Sequence, residues 1–254
     1  MSLKSILRPA YRIFTLFGLD PANLRHLRHV PRYVRDLRAF RRAGGQVDSY
    51  YPVLRDFTDS SGSATGHYFH QDLLVAQAIH AAAPDRHLDV ASRVDGFVAH
   101  VAAFRSIDVL DIRPLSTSHP NIRFVQADLM QPRADLIAAY RSVSCLHALE
   151  HFGLGRYTDP IAPDGHRRGF DAIASIVAPG GVLYISVPVG RPRIEFNAQR
   201  VFNPVEPLAW AEGRFVLEQF DYVDDAGALV RHARPDMAND LEYGCGIYTL
   251  RHTG

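Results

Sequence analysis

The residues best suited to chemistry are those of HALEH, His147–His151. His147, Glu150 and His151 stand at spacings of three and four, which on a helical turn puts all three on one face. Imidazole beside carboxylate suits a divalent cation or a general base that takes a proton from a hydroxyl near neutral pH. The same pattern also serves as a plain capped turn. We therefore take His151, Glu150 and His147 as the catalytic candidates and assign no metal ligands. A second group is basic: Arg156, His166, Arg167 and Arg168 lie in one segment, Arg191, Arg193 and Arg200 in another. Guanidinium forks match phosphate and carboxylate. Arg168, Arg191 and Arg193 are the candidates for binding an anionic acceptor, with ion pairs to Asp159, Asp164 or Glu195 as the alternative use of such arginines.

Positioning these groups requires a scaffold, and its centre is the stretch His87–Asp111, HLDVASRVDGFVAHVAAFRSIDVLD. The apolar run Leu88–Ala91 reads as a strand, Ser92–Gly96 as a tight turn, and Phe97, Val98, Val101 and Phe104 as one face of a helix. Ile107–Leu110 reads as a second strand ending in Asp111. Such a βαβ unit has parallel strands and binds ligands at their carboxyl ends. An acidic residue about twenty positions after the turn can accept from a ribose diol, so the chain reads as a binder of a nucleoside cofactor. A helix near 68–83 precedes the unit. Strands at 122–127, 142–146 and 182–187 follow, with helices at 135–140 and 170–177 between them. A helix after Pro204 and two final strands, 214–223 and 243–250, complete an α/β open sheet.

These motifs, in this order, resemble the class I S-adenosylmethionine-dependent methyltransferases across roughly residues 67–254. Within them the chain is most similar to a little-characterised family of bacteria and some animals with phrases such as SRVDGF and SVPVGRPR. The resemblance implies a Rossmann-like sheet of seven strands, the last one antiparallel, and S-adenosylmethionine as cofactor. LDVASRVDG stands where the superfamily has LDxGxGxG. Asp89 is then expected to accept from the cofactor, and Ala91, Ser92, Arg93, Asp95 and Gly96 to enclose its methionine part, Arg93 meeting the carboxylate and Asp95 the ammonium. Asp111 takes the ribose, Ile112 lies on the adenine, and Asp128 accepts from the adenine amino group beside Leu129. Leu146 and His147 line the base of the cleft. Ala91, Arg93 and Asp95 occupy positions where glycine is usual, because backbone approaches ligand closely there. HALEH also resembles the ExxEH pattern with which some quinone-precursor methyltransferases hold a metal, with His147 in place of the first Glu.

Charge is distributed unevenly. Residues 1–45 hold ten of the 28 Lys/Arg but two of the 27 Asp/Glu, a basic amphipathic helical arm, broken at Pro9 and kinked at Pro31, on an acidic body. Such an arm suits an anionic membrane surface, a lid or a second copy of the chain; it lacks the glycine-aromatic pattern of RNA-binding modules. Residues 46–66 read as a linker. No apolar run is long enough to span a bilayer, and Cys145 and Cys245, each in an apolar run, read as buried free thiols. The expected function is O-methylation of a sugar or glycan acceptor in polysaccharide biosynthesis, in the cytoplasm and at the inner face of a membrane. The alternative is a methyltransferase-like scaffold without activity. A nicotinamide dehydrogenase would need GxGxxG after the first strand, which is missing.

Overall fold

Alternation of apolar residues along short runs decides where this chain forms sheet, and proline and glycine decide where it turns. The computed structural model describes residues 18, 20–115, 119–129, 133–157 and 159–254. The chain divides into two compact units, residues 1–63 and 64–254.

In the first unit Asp20 accepts from the Ala22 N–H at 2.9 Å and starts a 3-10 helix, Pro21–His29. At Pro31, which suits a first helical turn, the chain continues as α1, Val30–Arg42. No residue of α1 is buried. Its arginines lie over aromatic rings instead: Arg32 is 4.3 Å from the ring centre of Phe57 and Arg41 5.5 Å from that of Tyr50. The break expected at Pro9 lies outside the described residues.

The second unit is built on an eight-stranded sheet. Its strands are β1 (His87–Val90), β2 (Ile107–Asp111), β3 (Ile122–Gln126), β4 (Tyr140–Leu146), β5 (Val177–Val189), β8 (Phe215–Val223), β9 (Leu229–Val230) and β10 (Gly244–His252), in the order β3-β2-β1-β4-β5-β10-β8-β9. The first five run parallel, and β10 is inserted antiparallel between β5 and β8. The expected antiparallel insertion is present, but the count of seven is one short. The extra strand is β9, returned against β8 by a turn in which Asp224 accepts from the Ala226 and Ala228 N–H groups. Two apolar residues give too short a periodicity to be read as a strand. A separate hairpin, β6 (Arg193–Glu195) and β7 (Gln199–Val201), forms where a loop was expected. β5 continues through Pro179-Gly180-Gly181, which reads as a turn but is absorbed as an irregularity in its pairing with β4.

Helix α2 (His67–Ala82) and the short α3 (Ala99–Ala102) cover one face of the sheet, burying Leu74, Val75, Ile79, Val98 and Val101 against Ile107, Val109 and Ile247. On the other face α4 (Gly165–Ile176) and α5 (Glu206–Ala211) bury Phe170, Ile173 and Trp210 with Leu88, Val90 and Leu110. Cys145 and Cys245 are free thiols in opposite layers. No helix among the described residues is long and apolar enough to cross a membrane.

Candidate functional site

The site begins where β1 ends. Ala91 takes a left-handed conformation, φ 62°, and its N–H donates to Leu110 O at 2.9 Å. The first turn thus keeps the backbone form of a glycine without having one. Asp89 is fully buried beneath it: its carboxylate accepts from Ser92 N–H (3.0 Å), Ser92 Oγ (2.9 Å) and Ser144 Oγ (2.5 Å). Because the Ser144 hydroxyl donates to Asp89, it must accept from Nε2–H of His87 at 2.9 Å, and His87 Nδ1 then accepts from Ser142 Oγ at 2.8 Å. Burial raises the Asp89 carboxyl to about 6 despite these donors and lowers His87 to about 3. Asp89 therefore does not line the cleft; it shapes the turn that does.

After the turn, a π-helical segment, Val94–Val98, leads into α3. Gly96 has φ −116° and ψ −115°, and a Cβ there would come 3.2 Å from Asp72 Oδ2. Arg93 and Asp95 pair with each other through two hydrogen bonds, 3.0 and 2.7 Å, and are largely exposed.

Two adjoining hollows make up the cleft, sharing Ala91, Arg113, His147, His151 and Tyr157. One is lined by Asp111, Ile112, Asp128, Leu129 and Arg168, the other by Ser92, Arg93, Asp95, Gly96 and Leu146. Residues expected from β1, β2, β3 and β4 thus meet at the carboxyl ends of their strands. Asp111 is engaged by Arg113, whose guanidinium also lies 4.7 Å from the ring centre of Tyr157. α2 supplies Tyr68, Gln71 and Asp72 to the second hollow. Burial raises the Asp72 carboxyl, against the hydrogen bond from Gln71. Position in the chain puts Gln71 near the first turn, but the burial of Gln71 and Asp72 as a pair has no signal in the sequence, where they read as the polar start of an apolar helix.

His147, Glu150 and His151 converge, though not as one helical turn. His147 sits just beyond β4 with φ 50°, its N–H held by Ser186 O (2.9 Å) and Ser186 Oγ (3.1 Å). Leu149–His151 is a single 3-10 turn. Glu150 is 1% exposed and lies under the cleft, not on its surface; its Oε1 is 2.8 Å from His147 Nδ1 and 3.7 Å from His151 Nε2. Burial alone would lower His147, but Cys245 and the Glu150 carboxylate outweigh it and hold the imidazole above its usual range. His151 goes the other way: burial lowers it, with Arg156 adding to this and Glu150 opposing. Its Nδ1 is 2.7 Å from Ala198 O, a pure acceptor, so the proton is on Nδ1 and the basic nitrogen is Nε2.

The arginines separate. Arg168 lines the cleft. Arg200 is 3% exposed and donates to the carbonyls of Glu150, Phe152 and Pro163, clamping the 3-10 turn to the segment before α4. Arg193 donates to Glu195 and to Glu242 O. Arg191 and Arg193 do not line the cleft. His166 packs against Phe202 and Trp210.

With this geometry, the comparisons place the fold. The 1,6-didemethyltoxoflavin N1-methyltransferase of Burkholderia thailandensis, solved with 1,6-didemethyltoxoflavin and S-adenosylhomocysteine, is 16% identical with a TM-score of 0.50, over 79% of this chain and 82% of that one. A putative methyltransferase of Bacillus halodurans is 14% identical with a TM-score of 0.50, over 72% of this chain and 98% of that one. The [4+2]-cyclase SpnF is 14% identical with a TM-score of 0.52, over 82% and 89%. The second unit thus has the Rossmann-like fold shared with S-adenosylmethionine-dependent methyltransferases. Residues 122–225 match a family described as Caenorhabditis proteins of unknown function, DUF268. That span includes HALEH and Arg168 but begins after the first turn and Asp111, so SRVDGF lies outside it. No curated protein sequence matches the chain.

Proposed function

We propose that the second unit binds S-adenosylmethionine in the cleft and transfers its methyl group to an oxygen of an anionic sugar or glycan. The observation that carries this is the meeting of Asp111, Asp128 and His151 in one cleft at the carboxyl ends of parallel strands. The residues present fit the cofactor. Gly96 leaves room where a side chain would crowd Asp72, Ala91 keeps the left-handed turn, and Asp111 stands at the end of β2 with Ile112 and Leu129 as apolar walls. Asp111 would hold the ribose, Asp128 the adenine amino group, and Asp72 with Ser92 the methionine end. When bound, the cofactor supplies an electrophilic methyl carbon on a sulfonium.

The chain's own contribution is position and a base. His151 lines the cleft, its Nε2 3.4 Å from Arg156 Nη1 and 3.7 Å from Glu150 Oε1, and can take the acceptor proton, while Ala198 O fixes its tautomer. Glu150 and His147 act as a positioning pair beneath it. Arg168, exposed on the cleft wall, suits a phosphate or carboxylate on the acceptor. The basic face of α1 supports a place beside an anionic membrane surface in the cytoplasm, where a lipid-linked acceptor would be met.

Calorimetric titration with S-adenosylhomocysteine tests the cofactor, and a panel of phosphorylated and uronic-acid glycans with radiolabelled methyl donor tests the acceptor. Binding without transfer to any acceptor would favour a cofactor-binding scaffold. No binding at millimolar ligand, with NAD equally inert, would remove the reading. Co-sedimentation with phosphatidylserine vesicles, lost on deleting residues 1–45, tests the arm.

A further inference from the structure

Behind the cleft lies a second constellation, which shares His147 with the methyl-transfer reading and adds two groups that reading does not use. His67 opens α2, His147 follows β4, and Cys245 is the second residue of β10. These positions are far apart in sequence, yet one ligand atom from each lies within 4.8 Å of the others. The two imidazoles face each other, ring centres 5.2 Å apart and planes 14° from parallel, and Tyr243 stacks on the other side of His67 at 5.2 Å. His147 Nε2 is buried with no hydrogen-bond partner, while its Nδ1 is held by Glu150. With the Nδ1 proton held by Glu150, Nε2 is the ring nitrogen that can take a ligand, giving up its own proton as the ligand binds. A buried ring nitrogen without a partner is costly unless something engages it.

We infer that His67, His147 and Cys245 form a binding site for a zinc-class cation. Two imidazoles and one thiol are a borderline-soft set that suits Zn²⁺ and disfavours Mg²⁺ or Ca²⁺. Tetrahedral zinc takes ligands at about 2.0–2.3 Å, so the three atoms close by small side-chain rotations, which the half-buried His67 can make. A carboxylate on the far nitrogen of a ligating histidine is the recurrent support for such a ligand, and Glu150 occupies that place. Access is through a groove lined by His67, Tyr243, Asp224, Asp225 and Glu242, whose carboxylates attract a cation. Three protein ligands leave a fourth position toward this groove.

The test uses the full chain, stripped with chelator and dialysed against zinc chloride or cobalt chloride. One retained zinc per chain is expected by elemental analysis, with a thiolate-to-metal charge-transfer band in the cobalt form. Cys245→Ser and His67→Gln should each lose the retained metal, and Glu150→Gln should weaken zinc about 10- to 100-fold. Should Cys245→Ser fail to fold, the wild-type cobalt band and the half-buried His67→Gln still decide. No retained zinc, a cobalt spectrum without the thiolate band, or equal retention by His67→Gln would each overturn the site. None of these readouts depends on methyl transfer, so failure here leaves that proposal standing.

Discussion

Arg113 closes on Asp111 with three hydrogen bonds: its backbone N–H at 2.8 Å, Nε at 3.0 Å and Nη2 at 2.6 Å. The backbone bond can persist when a ribose arrives, but the guanidinium occupies the oxygens a diol would use. The Arg113 side chain is half exposed, so solvent screens the pair and its net worth is about 0.2–1 kcal/mol. Arg113→Ala is therefore expected to tighten S-adenosylhomocysteine binding by up to about fivefold. Calorimetry checks this, and weaker binding in the variant would show that Arg113 contacts the ligand instead.

His151 is the assigned base. His151→Gln should lower turnover about 10²- to 10⁴-fold and leave S-adenosylhomocysteine affinity within a few-fold. Burial and Arg156, opposed by Glu150, place its titration below the usual histidine range. The base form exists above that pKa, so the acidic limb of kcat/KM should lie on the acid side of 6.5. A limb above 7 would assign the base elsewhere.

Ala91 carries a left-handed strain of about 1–2 kcal/mol that glycine would not. Glycine also loosens the unfolded chain by about 0.4–1 kcal/mol. Ala91→Gly should thus leave stability equal or slightly raised, whereas Ala91→Val should lower it clearly, since β-branched residues tolerate positive φ poorly. Urea unfolding of the two variants gives the comparison.

Stability should fall on acidification below about pH 6.5. His87 is held at about 3, and His67 and His166 at about 4, by burial first in each case. Between those values and 6.5 the unfolded chain binds protons that the native chain refuses, so stability rises with pH through that window. Asp89, raised to about 6, has the opposite slope between 3.8 and 6, because there the native chain keeps a proton the unfolded one has lost. Asp72 and Glu206, also raised by burial, share that slope, while His151, lowered by burial, joins the imidazoles; the wide shifts of His87, His67 and His166 leave a net loss toward acid. His87→Gln should flatten the midpoint-versus-pH curve; an unchanged slope would remove His87 from the account.

Much of this was legible from local pattern. Leu88–Ala91, Ile107–Leu110 and Val182–Val187 announce strands by composition, and the spacing of Asp111 and Asp128 after them survives as their shared place in the cleft. Arg191, Arg193 and Arg200 were not legible. An arginine's type shows what it can bind, but Arg200 spends its donors on carbonyls and Arg193 on Glu195 and Glu242 O. HALEH was legible as a cluster for the wrong reason: its side chains meet through the left-handed kink at His147, not through helical spacing.

By itself the sequence determined the alternation of strands and helices, the parallel sheet, and the acids at the strand ends. These depend on periodicity and short spacings, which a chain carries locally. The antiparallel insertion was implied by the resemblance alone. Only the tertiary structure decided that Asp89 is sealed beneath the turn, that Asp111 meets Arg113's side chain, and that His67, His147 and Cys245 share one corner. The last of these joins residues up to 178 positions apart, and such contacts are set by how β4, β10 and α2 pack, a property of the assembled layers and of no single stretch.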